Sequence, residues 1–212
     1  MSIEQDKVMN VEQEVSAQSL PLGFEWGAVK AGIKASGKLD VAVAIATKTA
    51  NAAVMYTKNQ VVAAPVTVGR RHLQSTGGRV AAVLVNAGNA NCATGQAGIE
   101  ACVQTCVAAA ETFHCIFDEV FPSSTGIIGV PFPAEKVIAA LPAVHTLLGS
   151  TPAHAELFAQ AIMTTDTRMK TARAVVDIDG MKINIFGAAK GAGMIHPQLG
   201  APVGPPHATM LV

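Results

Sequence analysis

The chain has 212 residues, half of them hydrophobic, and its 15 basic side chains balance 15 acidic ones. That length suits one domain or one and a half, with enough apolar sequence for a sizeable core. The balanced charge leaves no net field to recruit nucleic acid or an anionic membrane, and no basic cluster is interleaved with aromatics.

The first residues, MSIEQDKVMN, are polar and acidic, unlike a signal or transit peptide. Residues 1–20 lack periodicity and are expected to form a loose arm, with the folded domain at 21–208. Val41–Ala46 and Ala52–Thr57 are short apolar runs split by a polar turn, and Val61–Val68 follows; all three read as strands. Arg79–Asn86, RVAAVLVN, is the clearest buried strand and runs into a loop rich in Gly, Asn and Ala.

Ile99, Cys102, Val103, Cys106, Val107, Ala110 and Phe113 recur at steps of three and four, which predicts a helix with one apolar stripe. Ala134–Ala143 and Pro152–Met163 predict two more helices, each with a proline at its start. Ala172–Ile178 and Met181–Phe186 predict a hairpin across Asp179-Gly180. The last residues, Met210 to Val212, open like a buried strand, so further protein is expected after them. This mixture without strict βαβ alternation predicts an α/β fold with a mixed sheet.

Cys92, Cys102, Cys106 and Cys115 form no C-x-x-C pair and stand at no metal-ligand spacing with histidine. Free buried thiols, a reducing compartment and no metal site are expected. No apolar run approaches the roughly 20 residues that span a bilayer. A soluble cytoplasmic protein without membrane or nucleic-acid partners is the expectation.

Four segments carry more polar and glycine residues than scaffolding needs. In Val85–Gly98, asparagines and glycines permit left-handed backbone, and the helix that follows can meet an anion; the alternative, which composition favours, is a tight strand-to-helix connection. In Pro122–Pro131, Thr125 and Gly126 can set a hydroxyl beside a backbone N–H, as an oxyanion hole requires, or form an ordinary turn. Ile162–Thr167, IMTTDT, can offer hydroxyls to a polar substrate or cap a helix exit. Lys190, flanked by Gly191 and Gly193, can neutralise a carboxylate where backbone approaches closely, or stand on the surface.

The Ala208–Thr209 dipeptide adds a chemical possibility. A threonine after a small residue can attack the carbonyl before it and free itself as a new N-terminus, with hydroxyl nucleophile and amine base on one residue.

Together GIK (Gly32–Lys34), YTKNQVVAAPV (Tyr56–Val66), VNAGNANCATG (Val85–Gly95), STGIIGVPFP (Ser124–Pro133), IMTTDT and AKGAGMIHP (Ala189–Pro197) resemble one family in family order. It is the bifunctional ornithine acetyltransferase / amino-acid N-acetyltransferase family of arginine biosynthesis. The resemblance runs from about Gly23 to Val212. It implies a layered α/β/β/α sandwich of the N-terminal-nucleophile type, made as a precursor that cuts itself between Ala208 and Thr209.

Residues 209–212 would then begin the β chain, and the mature assembly would be an α2β2 heterotetramer. The resemblance assigns Thr209 as nucleophile, Thr125 and Gly126 as oxyanion stabilisers, and Thr164, Lys190 and Thr209 as substrate-binding residues. It implies transfer of acetyl from N2-acetyl-L-ornithine to L-glutamate without a cofactor, with acetyl-CoA as a further donor in bifunctional members. Two departures stand out: Gln198–His207 lengthens the connection to Thr209, and the β half is missing. A non-catalytic subunit of the same family therefore stays open, as does a hydrolytic relative, although IMTTDT and AKGAGM argue against hydrolysis.

Overall fold

The structure, a computed structural model, describes residues 20–57 and 59–191 and the backbone of Met210–Leu211. Four strands, β1 (Phe24–Val29), β2 (Val41–Asn51), β3 (Arg79–Asn89) and β4 (Val120–Ile127), form one sheet in the order β1-β2-β3-β4. β1–β2 and β2–β3 pair antiparallel, and β3–β4 pair parallel through the crossover helix α2 (Gly95–Phe113). A second sheet has the order β5-β6-β7, from β5 (Lys170–Ile178), β6 (Met181–Lys190) and β7 (Met210–Leu211).

Alternation along β2 and β3 explains why their sequences read as nearly unbroken apolar runs. Val41, Val43, Ala82 and Leu84 face one core with α1 (Ala64–Thr76), α2 and α3 (Ala134–Thr146). Ala42 and Val85 face the other, with Trp26, Ala188 of β6 and Phe158 of α4 (Pro152–Ala161). A sheet covered on both faces has little use for polar positions. The Trp26 ring meets Phe186 edge-on at 5.6 Å, which joins the two sheets. The layers thus run helices, first sheet, second sheet, with α4 on the second sheet's side: the mixed α/β sandwich that the motifs implied.

Two expected strands are absent. Val61–Val68 turns into α1, because Pro65 in the first turn needs no hydrogen-bond partner and presets the helical φ. Ala64, Val68 and His72 then fall on one buried face. Ala52–Thr57 joins neither sheet. Conversely, Phe24–Val29 and Val120–Ile127, neither of them among the expected strands, are β1 and β4. The predicted helices stand, with α3 continuing through Pro142 to Thr146.

The buried stripe of α2 is rotated from the expected one: Thr105 and Ala109 are buried and Val107 is exposed. The Thr105 hydroxyl survives burial by donating to the Cys102 carbonyl at 2.7 Å. The β5–β6 hairpin turns at Asp179-Gly180, both at positive φ (52° and 81°), as the two-residue turn demands. At the start of the described chain Leu20 is buried in the second core, and its carbonyl accepts from Asn184 Nδ2 at 3.1 Å. The rest of the expected arm lies outside the described residues.

Candidate active site

The site is built where β4 ends beside β3. Register pairs Ala87 with Thr125 and Gly88 with Gly126. Gly126 has φ 139°, and a Cβ there would lie 2.3 Å from the Gly88 carbonyl carbon, far inside contact distance. Only glycine permits this approach of two backbones. It leaves Thr125 buried and Gly126 exposed at the sheet's end.

The asparagine loop supports that edge. Asn86 Oδ1 accepts from Ser124 Oγ at 2.6 Å, and its amide donates to the Asn89 carbonyl at 2.8 Å. Asn89 donates to the Pro131 carbonyl at 3.0 Å, and its Oδ1 accepts from the Asn91 N–H at 2.7 Å. Asn91 ties down the start of α2 through the Gly98 carbonyl at 2.9 Å. The loop makes a tight strand-to-helix connection, its asparagine amides spent on backbone groups and on the Ser124 hydroxyl.

Lys190, at the end of β6, brings two of the expected residues together. Its Nζ donates to Thr125 Oγ1 and, at 3.3 Å, to Thr164 Oγ1. An ammonium can only donate, so Thr125 uses its lone pair on Lys190 and keeps its own proton for another acceptor. Burial pushes the Lys190 ammonium below its ordinary value; the Asp166 charge opposes that shift and the Lys170 charge adds to it.

Three charged residues that the motif reading left without a role complete the surroundings. Asp40, 1 % exposed, accepts from the N–H groups of Ala31 and Ile33 at 2.6 Å each and of Lys34 at 2.9 Å, which folds the GIK loop around one carboxylate. Lys34 Nζ donates to the Leu39 carbonyl at 2.6 Å and to the Ala161 carbonyl, at the end of α4, at 2.9 Å. A cation on the last carbonyls of a helix is favourable, and it anchors the exit that leads to Thr164. Burial lowers the Lys34 pKa, against the Asp40 charge that raises it and with the Lys38 and Lys190 charges that lower it.

Asp166, inside IMTTDT, is the third. Burial alone would raise its carboxyl, but bonds from Lys170 and from the N–H groups of Gly191 and Thr164, with the Lys170 charge, hold it below the ordinary value. Lys34 and Asp166 lie within two of the family motifs, the one signal the sequence offers for them; their partners are distant along the chain.

Ala208, Thr209 and Gly193 lie outside the described residues. The neighbouring backbone does not: Met210 pairs antiparallel with Lys190, and Leu211 with Ala189. The chain thus returns, after the lengthened connection, to the strand that bears Lys190. Among the described residues no cluster of His, Cys, Asp and Glu could hold a metal ion. All four cysteines are free, and the hydrogen bond with Cys102, then burial, push the Cys106 thiol up.

Residues 25–212 match the ArgJ family. The chain is 45% identical over 183 residues to the arginine biosynthesis bifunctional protein ArgJ of Thermus thermophilus, a stretch covering 86% of this chain and 45% of the relative. With the protein of the same name from Gloeobacter violaceus it shares 42% over 177 residues, 84% of this chain and 43% of the relative. The chain therefore spans less than half the length of these relatives.

Among solved structures, the ornithine acetyltransferase of Mycobacterium tuberculosis complexed with ornithine aligns with TM-score 0.79 at 36% identity, covering 88% of this chain and 98% of that one. ArgJ of Bacillus halodurans aligns with TM-score 0.78 at 31% identity, over 85% of this chain and 92% of that one. The family match over most of the chain, the relatives at over 40% identity and the solved structures of the same fold agree with one another, and the chain belongs to the ArgJ family.

Proposed function

We propose that this chain is the α portion of a glutamate N-acetyltransferase that moves acetyl from N2-acetyl-L-ornithine to L-glutamate through acetyl-Thr209. The observation that carries the reading is the β6–β7 register. It sets Met210, the residue after Thr209, opposite Lys190, whose ammonium already bridges Thr125 and Thr164. The Mycobacterium tuberculosis neighbour was solved complexed with ornithine, which supports an ornithine-type substrate here.

The chemistry starts with attack of Thr209 Oγ on the Ala208 carbonyl carbon, which breaks the C–N bond and frees the Thr209 α-amine; water then hydrolyses the resulting ester, leaving the Ala208 carboxylate and the Thr209 hydroxyl. An α-amine has a reference pKa of about 7.7–8.0, so a useful fraction is unprotonated near neutrality. It takes the hydroxyl proton while Oγ bonds to the acetyl carbonyl carbon. Thr125 Oγ1–H and the Gly126 N–H donate to the oxyanion, and Lys190, by donating to Thr125, leaves that proton free to point at it. The C–N bond then breaks and ornithine leaves with the proton. The glutamate amine attacks the ester in turn and returns the proton to Thr209. Thr164 and Lys190 hold the polar groups of the amino acid. No metal or prosthetic group is needed, and acetyl-CoA can deliver acetyl to the same oxygen.

Activity then requires a β half, paired with this chain in an α2β2 assembly in the cytoplasm. Two observations support the need for a β half: the chain spans under half of its curated relatives, and Ile178, Met181, Ile183 and Ile185 leave one face of the second sheet apolar and exposed. Among the described residues no helix is long and apolar enough to cross a membrane.

The test is to produce the chain joined to its β half. Two fragments should appear, the second beginning Thr-Met-Leu-Val, and acetyl should pass from acetylornithine to glutamate. Thr209→Ala should stay whole and inactive. A cleaved, active alanine variant overturns the proposal. Cleavage without transfer from either donor would favour the non-catalytic subunit.

A further inference from the structure

β5 begins at Lys170, whose register partner is Ala189, so Gly191 lies past the end of the β5–β6 ladder. Its backbone groups are held by side chains instead. The Gly191 N–H donates to Asp166 Oδ1 at 2.8 Å, and the Gly191 carbonyl accepts from Lys170 Nζ. Lys170 Nζ also donates to Asp166 Oδ1 at 2.6 Å, closing a three-membered ring of contacts. The other carboxylate oxygen accepts from the Thr164 N–H at a long 3.4 Å. The Asp166 side chain is 1% exposed, against 47% for Lys170. One buried carboxylate thus ties the residue after Lys190 to the residue that carries one of the two hydroxyls on Lys190.

We propose that Asp166 is a positioning residue of the acetyl-transfer site, which with Lys170 clasps Gly191 and so holds Lys190 Nζ between Thr125 and Thr164. This rests on the function proposed above. A strand end without a ladder partner frays, and Gly191, at φ 139°, has no side chain to restrain it. Without the clasp the end of β6 would be held from the β7 side alone, through the Lys190–Met210 pair, and the Lys190 side chain would lose its fixed aim at Thr125 and Thr164. Misplacement by about 1 Å at a reacting centre can already remove 10²-fold in rate.

The clasp has an electrostatic consequence that a purely structural brace lacks. The charged groups facing Lys190 are Asp166 from the turn after α4, Lys170 from the start of β5 and Lys34 from the loop after β1. Asp166 favours the charged ammonium and Lys170 disfavours it. If protonated Lys190 is the active form, removing one or the other moves the alkaline limb of the rate profile in opposite directions.

The experiment uses the processed enzyme with its β half and measures kcat/KM for acetyl transfer against pH. Asp166→Asn should lower kcat/KM about 10²-fold and move the alkaline limb to lower pH. Lys170→Met should lower the rate and move the limb to higher pH. Asp166→Glu, which keeps the charge but alters the reach, should restore the limb more fully than the rate.

Variants that lose rate with an unmoved limb, or that shift it the same way, overturn the proposal. Should Asp166→Asn fail to fold, the direction of the Lys170→Met shift decides alone: upward supports the clasp, unchanged or downward refutes it. A wild-type enzyme that transfers no acetyl overturns the functional reading and this inference with it, whereas an active wild type with unshifted variants overturns the clasp only.

Discussion

The first sheet is covered on both sides, by α1, α2 and α3 on one face and by α4 and β6 residues on the other. Among the described residues, the second sheet is covered on one. Its inner face turns Phe186 and Ala188 towards Trp26 and α4. Its outer face lines up Ala174 with Ile185, Val176 with Ile183 and Ile178 with Met181, since paired residues share a side. Four of those six are exposed, and a continuous apolar face of this kind marks an interaction surface. The two sheets have separate tasks. The finished sheet supplies the rigid end with Thr125 and Gly126, and the open sheet brings Lys190 and the strand after Thr209 to it.

The largest effect is expected in the covered region. Phe158 of α4 is fully buried in the core between the sheets, so Phe158→Ala should destabilise the assembled protein by about 3–5 kcal/mol in urea unfolding. A loss under about 1 kcal/mol would show that α4 is not a fixed part of that core.

Next comes the junction itself. Gly126→Ala forces a methyl group onto the Gly88 backbone and should lower kcat/KM about 10²-fold or more. A near-normal rate would mean the two strands need not approach so closely for catalysis.

On the open sheet the same kind of change should act on assembly and little on the fold. Ile183→Lys should alter the chain's own stability by about 0.5 kcal/mol or less, as exposed substitutions do, yet abolish co-purification of the β half. Undiminished recovery of the β half would place the partner elsewhere.

The smallest effect is a pH dependence at the clasp. The folded-state pKa of Asp166 lies below the ordinary aspartate value of 3.8. Its contribution to stability is therefore fully present above that value and is lost as pH falls through the folded one. Wild type should lose more stability than Asp166→Asn as pH is lowered below 3.8, and equal slopes would show that the carboxylate holds nothing.

The sequence by itself determined the elements whose cause is local. Apolar steps of three and four marked α2, a proline at the start marked α4, and Asp179-Gly180 marked the β5–β6 turn, because periodicity and turn chemistry act over a few residues. Resemblance of successive motifs also singles out Thr125, Thr164 and Lys190, whose side chains the fold brings into contact.

Tertiary structure alone decided what depends on partners far along the chain. Val61–Val68 has a strand's β-branched composition; Pro65 lets a helix start there, and the core that receives Ala64, Val68 and His72 fixes the segment as α1. PSSTGI reads as a turn, yet β3 lies beside it and takes it into the sheet as β4. The meeting of Lys190 with Thr125, 65 residues away, follows from how the two sheets pack, and the grip of Asp166 on Gly191, 25 residues away, from the pairing of β5 with β6. Hydrogen bonds across sheets are chosen by the whole fold, and no window of sequence contains both ends of them.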